Sequence, residues 1–249
     1  MLTAIIANHK GGVGKTTTAV ALASAARAFG RRALLVDADP QAQCATALGI
    51  SRADGLYRVL RAGVALGSGV VQARPGLDLL PGDPDSTARL QDELVGDAWG
   101  HLALADVLSN VRGYDVCIID CPPTLGRLNV AALMAADLVI VPTSCNYFGL
   151  ESVGLFLRQV QDAKKRRGGP TAELAAVLPT FYDARTTASR EALELLRADF
   201  GDVVANPIPR ATVAERIVES GRTIWEVAPK SPVGVAYAWL CKWFYQDLM

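Results

Sequence analysis

The chain has no excess of either charge: lysine and arginine together number 25, aspartate and glutamate 25, over 249 residues. That balance argues against a large, permanent basic face for nucleic acid, though a patch assembled when two copies meet would leave the total unchanged. No apolar stretch is long enough to span a bilayer. No basic region precedes the first apolar run, and that run is needed by the loop behind it, so a signal peptide is not expected. The five cysteines are an odd number without framework spacing, which fits a reducing cytoplasm. What is plentiful is apolar sequence, 51% of the chain, enough for a large core and too much for disorder. The length suits one α/β domain over residues 1–249, a sheet with helices on both faces.

The segment LTAIIANHKGGVGKTT, residues 2–17, carries the strongest signal. Leu2 to Ala7 reads as a strand buried on both faces. Asn8 to Gly14 turns tightly, and an Ala-rich helical stretch follows, from about Thr17 to Phe29 and closed at Gly30. Strand, glycine-rich turn and helix are the context of a phosphate-binding loop, in which backbone N–H groups and a helix N-terminus converge on an anion. Gly11, Gly12, Val13 and Gly14 would form the cradle, with Thr17 next to it. Lys15 would reach the β- and γ-phosphates, and the Thr16 hydroxyl would take a place on Mg²⁺. The general pattern G-x-x-x-x-G-K-[ST] wants a glycine where His9 stands; in its place the loop has a second lysine, Lys10, at its entry.

Two more apolar runs end in acids. Ala33 to Val36 delivers Asp37-Ala38-Asp39-Pro40-Gln41, and Tyr114 to Ile119 delivers Asp120 with Pro122 and Pro123 behind it. Ligands of open α/β sheets sit at such strand ends. Asp37 and Asp39 read either as a helix cap plus a surface acid, or as one water-orienting acid and one supporting Mg²⁺. Asp120 would hold Mg²⁺ through water. Cys117 and Cys121 form a lone C-x-x-x-C pair, a weak metal signal.

The remaining elements follow the same reading. Leu56–Leu60 is expected as a short helix, Leu77–Leu80 as a strand, and 85–95 and 102–111 as helices, with the isolated Trp99 in the core. Strands are expected at 137–142, 172–179 and near 203–205, and helices at 150–167, 187–199 and 235–248. The run Lys164 to Arg167 complements a helix C-terminus, or contacts DNA. The last helix has Lys242 as its one base, too little for anionic lipid, and is expected to dock on the sheet.

KGGVGKT, LLVDADPQAQ and IIDCPPTLGRLNVAAL together resemble the ParA/MinD family of deviant-Walker ATPases, and the resemblance runs along the whole chain. It is nearest to the short Soj-like branch, since nothing ahead of the first strand offers an N-terminal DNA-binding domain. It implies a doubly wound, mainly parallel sheet of the P-loop NTPase fold, with ATP and Mg²⁺ as ligands. It further implies an ATP-sandwich homodimer in which Lys10 reaches the partner's nucleotide, and Asp39 as the water-positioning residue. Pro207, Ile208, Pro209 and Arg210 resemble the family's adenine-contacting loop. By the same resemblance, basic residues of the C-terminal third (Arg185, Arg190, Arg216, Arg222 and Lys230) are candidates for non-specific contact with double-stranded DNA. A ParB-like protein would stimulate hydrolysis, and the location would be cytoplasmic and nucleoid-associated. The family usually carries glutamine and glutamate where Ser144 and Asn146 stand, so no role carries over to those two. Two rivals share the fold: a MinD-like membrane-associated positioning ATPase, disfavoured by the C-terminus, and an iron–sulfur protein, disfavoured by the cysteine pattern.

Overall fold

The computed structural model describes residues 1–123, 126–164, 172–212 and 220–249, without the side chains of Gln159 and Ala163. Its centre is a seven-stranded sheet: β1 (Leu2–Ile6), β2 (Ala33–Asp37), β3 (Val71–Arg74), β4 (Leu77–Leu80), β5 (Val116–Asp120), β6 (Leu138–Ser144) and β7 (Glu173–Thr180). The order is β3-β4-β2-β5-β1-β6-β7, parallel throughout except where β3 turns back along β4. The three apolar runs that end in phosphate-loop or acidic residues are thus neighbours, with Ile6 level with Asp120 and Asp120 level with Asp37.

Those runs are continuous because both faces of the sheet are covered. Ala4, Ile6, Leu35 and Ile118 point to one side, where α1 (Lys15–Ala25) and the C-terminal helix lie. Ile5, Leu34, Val36 and Ile119 point to the other, against Leu90, Leu128 and Phe156 of the helices Pro84–Gly96, Arg127–Ala135 and Tyr147–Lys164. Ile5, Leu34 and Leu35 are fully buried, each worth about 1.5–3 kcal/mol against exposure.

Several sequence expectations change. Trp99 is on the surface, 71% exposed, because the Asp97 carboxylate accepts its backbone N–H and ties it into a turn. The strand expected near 203–205 is a 3-10 turn, Gly201–Val203, plus one bridge to Val177. There the Val204 N–H is already used by the Gly201 carbonyl, and Pro207 has none to extend a ladder. The final helix starts earlier, at Pro232 with Ser231 as its cap, and ends in a π-type turn, Trp243–Leu248. It packs into the core cluster on the α1 face of the sheet, against α1: the Tyr237 hydroxyl meets Thr18 at 3.1 Å and the Tyr245 hydroxyl donates to the Leu22 carbonyl at 2.8 Å. No helix among the described residues is long and apolar enough to cross a membrane. The basic run is described only as far as Lys164; residues 165–167 lie outside the described residues.

Candidate functional site

The phosphate loop leaves β1 and enters α1 through two glycines in left-handed conformation, Gly12 at φ 69° and Gly14 at φ 87°, where a side chain would be strained. Gly14 is also the N-cap of α1, so no side chain takes up the amides of the first turn. A helix start with free amides and no capping oxygen is suited to an anion. The loop is pinned from beneath. Asn8 Nδ2 donates to the Pro142 carbonyl at 2.7 Å, and Thr180 Oγ1 donates at 3.0 Å towards the carbonyls of Val13 and Thr143. These anchors tie the loop to the ends of β6 and β7.

A cavity of about 310 Å³ opens above it, lined by Gly11, Gly12, Gly14, Lys15, Thr16, Thr17, Asp39, Gln41, Gln43, Pro123 and Phe181. Val13 is buried behind this wall. Lys15 is 6% exposed, and its Nζ donates to the Lys10 carbonyl at 3.1 Å. Burial lowers its pKa, opposed by the charges of Asp120 and Asp39. Thr16 Oγ1 donates to Asp120 Oδ2 at 2.6 Å. Asp39, 8% exposed, accepts the Gln41 N–H at 2.9 Å through Oδ1. Burial raises its pKa, against the Gln41 amide and the Lys15 charge.

Asp37 and Asp120 are fully buried beneath the cavity. Burial raises both carboxyls well above the usual range; the Asp120 charge adds to the effect on Asp37. One oxygen of each, Asp37 Oδ1 and Asp120 Oδ1, has no hydrogen-bond partner. Orphaned hard oxygens beside a threonine hydroxyl fit Mg²⁺, which takes oxygen ligands. Cys44, at the start of the short helix Gln43–Ala47, completes the cluster with its thiol 3.4 Å from Asp120 Oδ2.

Lys10 sits apart from Lys15. Its Nζ reaches Ser144 Oγ at 3.3 Å and Asn146 Oδ1 at 3.4 Å, and it lies 5.7 Å from the centre of the exposed Phe148 ring. The two positions that the resemblance left without a role are therefore those that hold this lysine. Residues 207–210 continue β7 by backbone pairing: Ile208 N–H donates to Pro179 and Arg210 N–H to Tyr182. Ile208 is buried in the core, and Arg210 lines a second cavity that shares Phe181 with the first. The structure thus gathers Lys15, Thr16, Asp37, Asp39 and Asp120 at one strand edge and sets the 207–210 loop beyond Phe181.

The basic candidates are scattered and locally engaged. Arg185 forms a two-pronged pair with Asp183, Arg190 donates to the Ala184 carbonyl and Thr187, and Arg222 donates to the Glu226 carbonyl. Lys230 is exposed, and Arg216 lies outside the described residues. Sequence reading missed Asn8, Thr180, Gln41, Cys44 and Phe181. Of these, Phe181 has a backbone signature, φ 53°, that no sequence pattern announces.

Comparison with known proteins agrees with this geometry. A family model described as an AAA domain matches residues 1–171. The chromosome partitioning protein ParA of Caulobacter vibrioides is 41% identical over 213 residues, 82% of this chain and 79% of that protein. The chromosome-partitioning ATPase Soj of Thermus thermophilus is 39% identical over 93% of this chain and 90% of its own length. Among solved structures, cobyrinic acid a,c-diamide synthase from Mycobacterium smegmatis with bound ADP and magnesium superposes with a TM-score of 0.82. It is 35% identical and is matched over 99% of this chain and 96% of that one. The phosphate loop, the acidic strand ends and these relatives place the chain in the ParA/Soj family of chromosome-partitioning ATPases.

Proposed function

We propose that the chain is a Mg²⁺-dependent ATPase that works as a partitioning switch. The observation that carries this is the uncapped start of α1 over a cavity where Lys15, Thr16 and three buried carboxyls meet. The α1 amides and Lys15 bind the triphosphate; Lys15 leaves the Lys10 carbonyl to do so. Thr16, Asp37 and Asp120 hold Mg²⁺, which when bound neutralises charge on the phosphate oxygens. Asp39 orients water with the oxygen that the Gln41 amide leaves free. The 207–210 loop contacts the base, beyond Phe181.

Two copies close face to face on ATP, with Lys10 swinging to the partner's nucleotide. Its present bonds are long, neutral on the acceptor side and partly open to solvent, so they hold it weakly. The closed dimer binds double-stranded DNA without sequence preference through arginines and lysines of both C-terminal thirds. A ParB-like protein stimulates hydrolysis and release, which places the protein on the nucleoid and its cargo under its control.

Co-sedimentation with duplex DNA and with anionic liposomes, in ATP and in ADP, tests the reading. DNA binding in ATP alone is the result expected. With ~4–6 phosphates neutralised, affinity falls roughly two to three decades between 50 and 200 mM salt. Lipid binding in its place supports a membrane switch. Turnover that depends on a carboxylic acid and an amide-nitrogen donor supports the synthase chemistry named for the Mycobacterium smegmatis relative.

A further inference from the structure

We propose that Asp37, Cys44 and Asp120 also form a site for a thiophilic divalent cation such as Zn²⁺, which takes the Cys44 sulfur directly and keeps Mg²⁺ out. Cys44 is the one member of the buried cluster that the Mg²⁺ reading leaves unused, since Mg²⁺ takes oxygen and not sulfur. One ligand atom from each residue lies within 4.8 Å of the other two, and all three residues are buried. A tetrahedral ion with ~2.3 Å to sulfur and ~2.0 Å to oxygen needs the two about 3.5 Å apart. Cys44 Sγ and Asp120 Oδ2 stand 3.4 Å apart.

The second observation is the pair of orphaned oxygens. Asp37 Oδ1 and Asp120 Oδ1 are buried with no hydrogen-bond partner, which is costly unless something positive arrives. Asp37 is also locked to the cysteine, its Oδ2 accepting the Cys44 N–H at 3.0 Å, so two of the ligands are held in register before any ion binds. Three protein ligands leave one tetrahedral position open. As the sulfur bond forms, the thiol proton and any proton on the two carboxyls leave to solvent. The sequence hides the site, because Cys44 belongs to no cysteine pair; the topology brings the end of β2, the helix behind it and the end of β5 together.

The test uses the full chain without nucleotide or Mg²⁺, so its failure leaves the ATPase reading untouched. Co²⁺ is titrated in and the thiolate-to-cobalt charge-transfer band is followed. The band should appear in the parent and vanish in Cys44→Ser. In Asp37→Asn, which keeps the thiol, the affinity should fall tenfold or more. Absence of the band in the parent at saturating cobalt, or an unchanged band in a folded Cys44→Ser protein, overturns the proposal. X-ray absorption on the one-to-one Zn²⁺ complex of the parent decides the matter without any variant. One sulfur neighbour at about 2.3 Å supports it, and a shell of light atoms alone rejects it.

Discussion

At the strand edge, four charged side chains (Lys15, Asp37, Asp39 and Asp120) are withdrawn from water, and their pKa values are moved chiefly by burial. Among the described residues from 181 to 230, arginines such as Arg185 and Arg222 are open to solvent and meet partners close by in the chain, Asp183 for one and the Glu226 carbonyl for the other. Buried charge is expensive to keep unless a ligand uses it, whereas surface pairs of this kind contribute about 0–1 kcal/mol and can be exchanged freely. Ligand chemistry therefore concentrates at the first region, and the second is a surface whose contacts can be exchanged at little cost.

The sharpest way to break that contrast is Lys15→Ala. Loss of a buried, charge-assisted contact should weaken ATP binding by about two orders of magnitude, near 3 kcal/mol, in a calorimetric titration. Parent-like affinity would mean that the buried lysine is structural. Asp39→Ala should bind ATP within a few-fold of the parent while turnover drops by about 100-fold or more, because a water-orienting group acts mainly as the phosphoryl group leaves. Normal turnover in that variant would transfer the role to Asp37. Lys10→Ala should keep nucleotide affinity but lose the ATP-dependent dimer, seen by sedimentation velocity, and with it ATP hydrolysis. An equal loss of ATP affinity in the Lys10 and Lys15 variants would remove the argument for action across a dimer.

The smallest effect belongs to the surface. Arg74 binds Glu226 at 2.9 Å, and that contact lowers the Glu226 pKa from 4.5 to about 2. A depressed carboxyl stabilises the folded state above its unfolded pKa and loses the contribution as pH falls through the folded one. The window is therefore pH 4.5 down to about 2. With the Glu226 side chain 36% exposed, the contribution is at most about 1 kcal/mol. Glu226→Gln should flatten the melting temperature across that window and change nothing at pH 7 beyond this small amount. A large loss at neutral pH would show that the pair does more than surface pairs do.

The sequence announced the first region far better than the second. Strands buried on both faces, such as Leu2–Ile6, Ala33–Asp37 and Val116–Asp120, leave unbroken apolar runs that need no context to read. The antiparallel edge Val71–Arg74 leaves none: Val71 and Gln72 are exposed, and its partner is settled by a turn at Gly76. Trp99 misled because an aromatic side chain is apolar wherever it sits, and here it stands on a turn held by Asp97, Gly100 and Leu102. The Cys44 thiol meets Asp120 far along the chain, and Phe181 stands beside Tyr182, which pairs with Ile208 and Arg210. No local pattern encodes such neighbours. Lys10 lies between the two cases: its presence was legible, but its seat on Ser144 and Asn146 was not.

The position of β1 between β5 and β6 has a consequence for how the protein is made. Translation delivers the phosphate loop almost first, yet both strands that hold its base, Val116–Asp120 and Leu138–Ser144, are delivered much later. Pairings so distant in the chain are slow to form, and such a unit folds once its parts are all present. A growing chain on the ribosome thus carries the loop in a form that cannot grip a triphosphate. A fragment stopped short of Leu138 should stay blind to nucleotide, however complete its binding motif looks on paper.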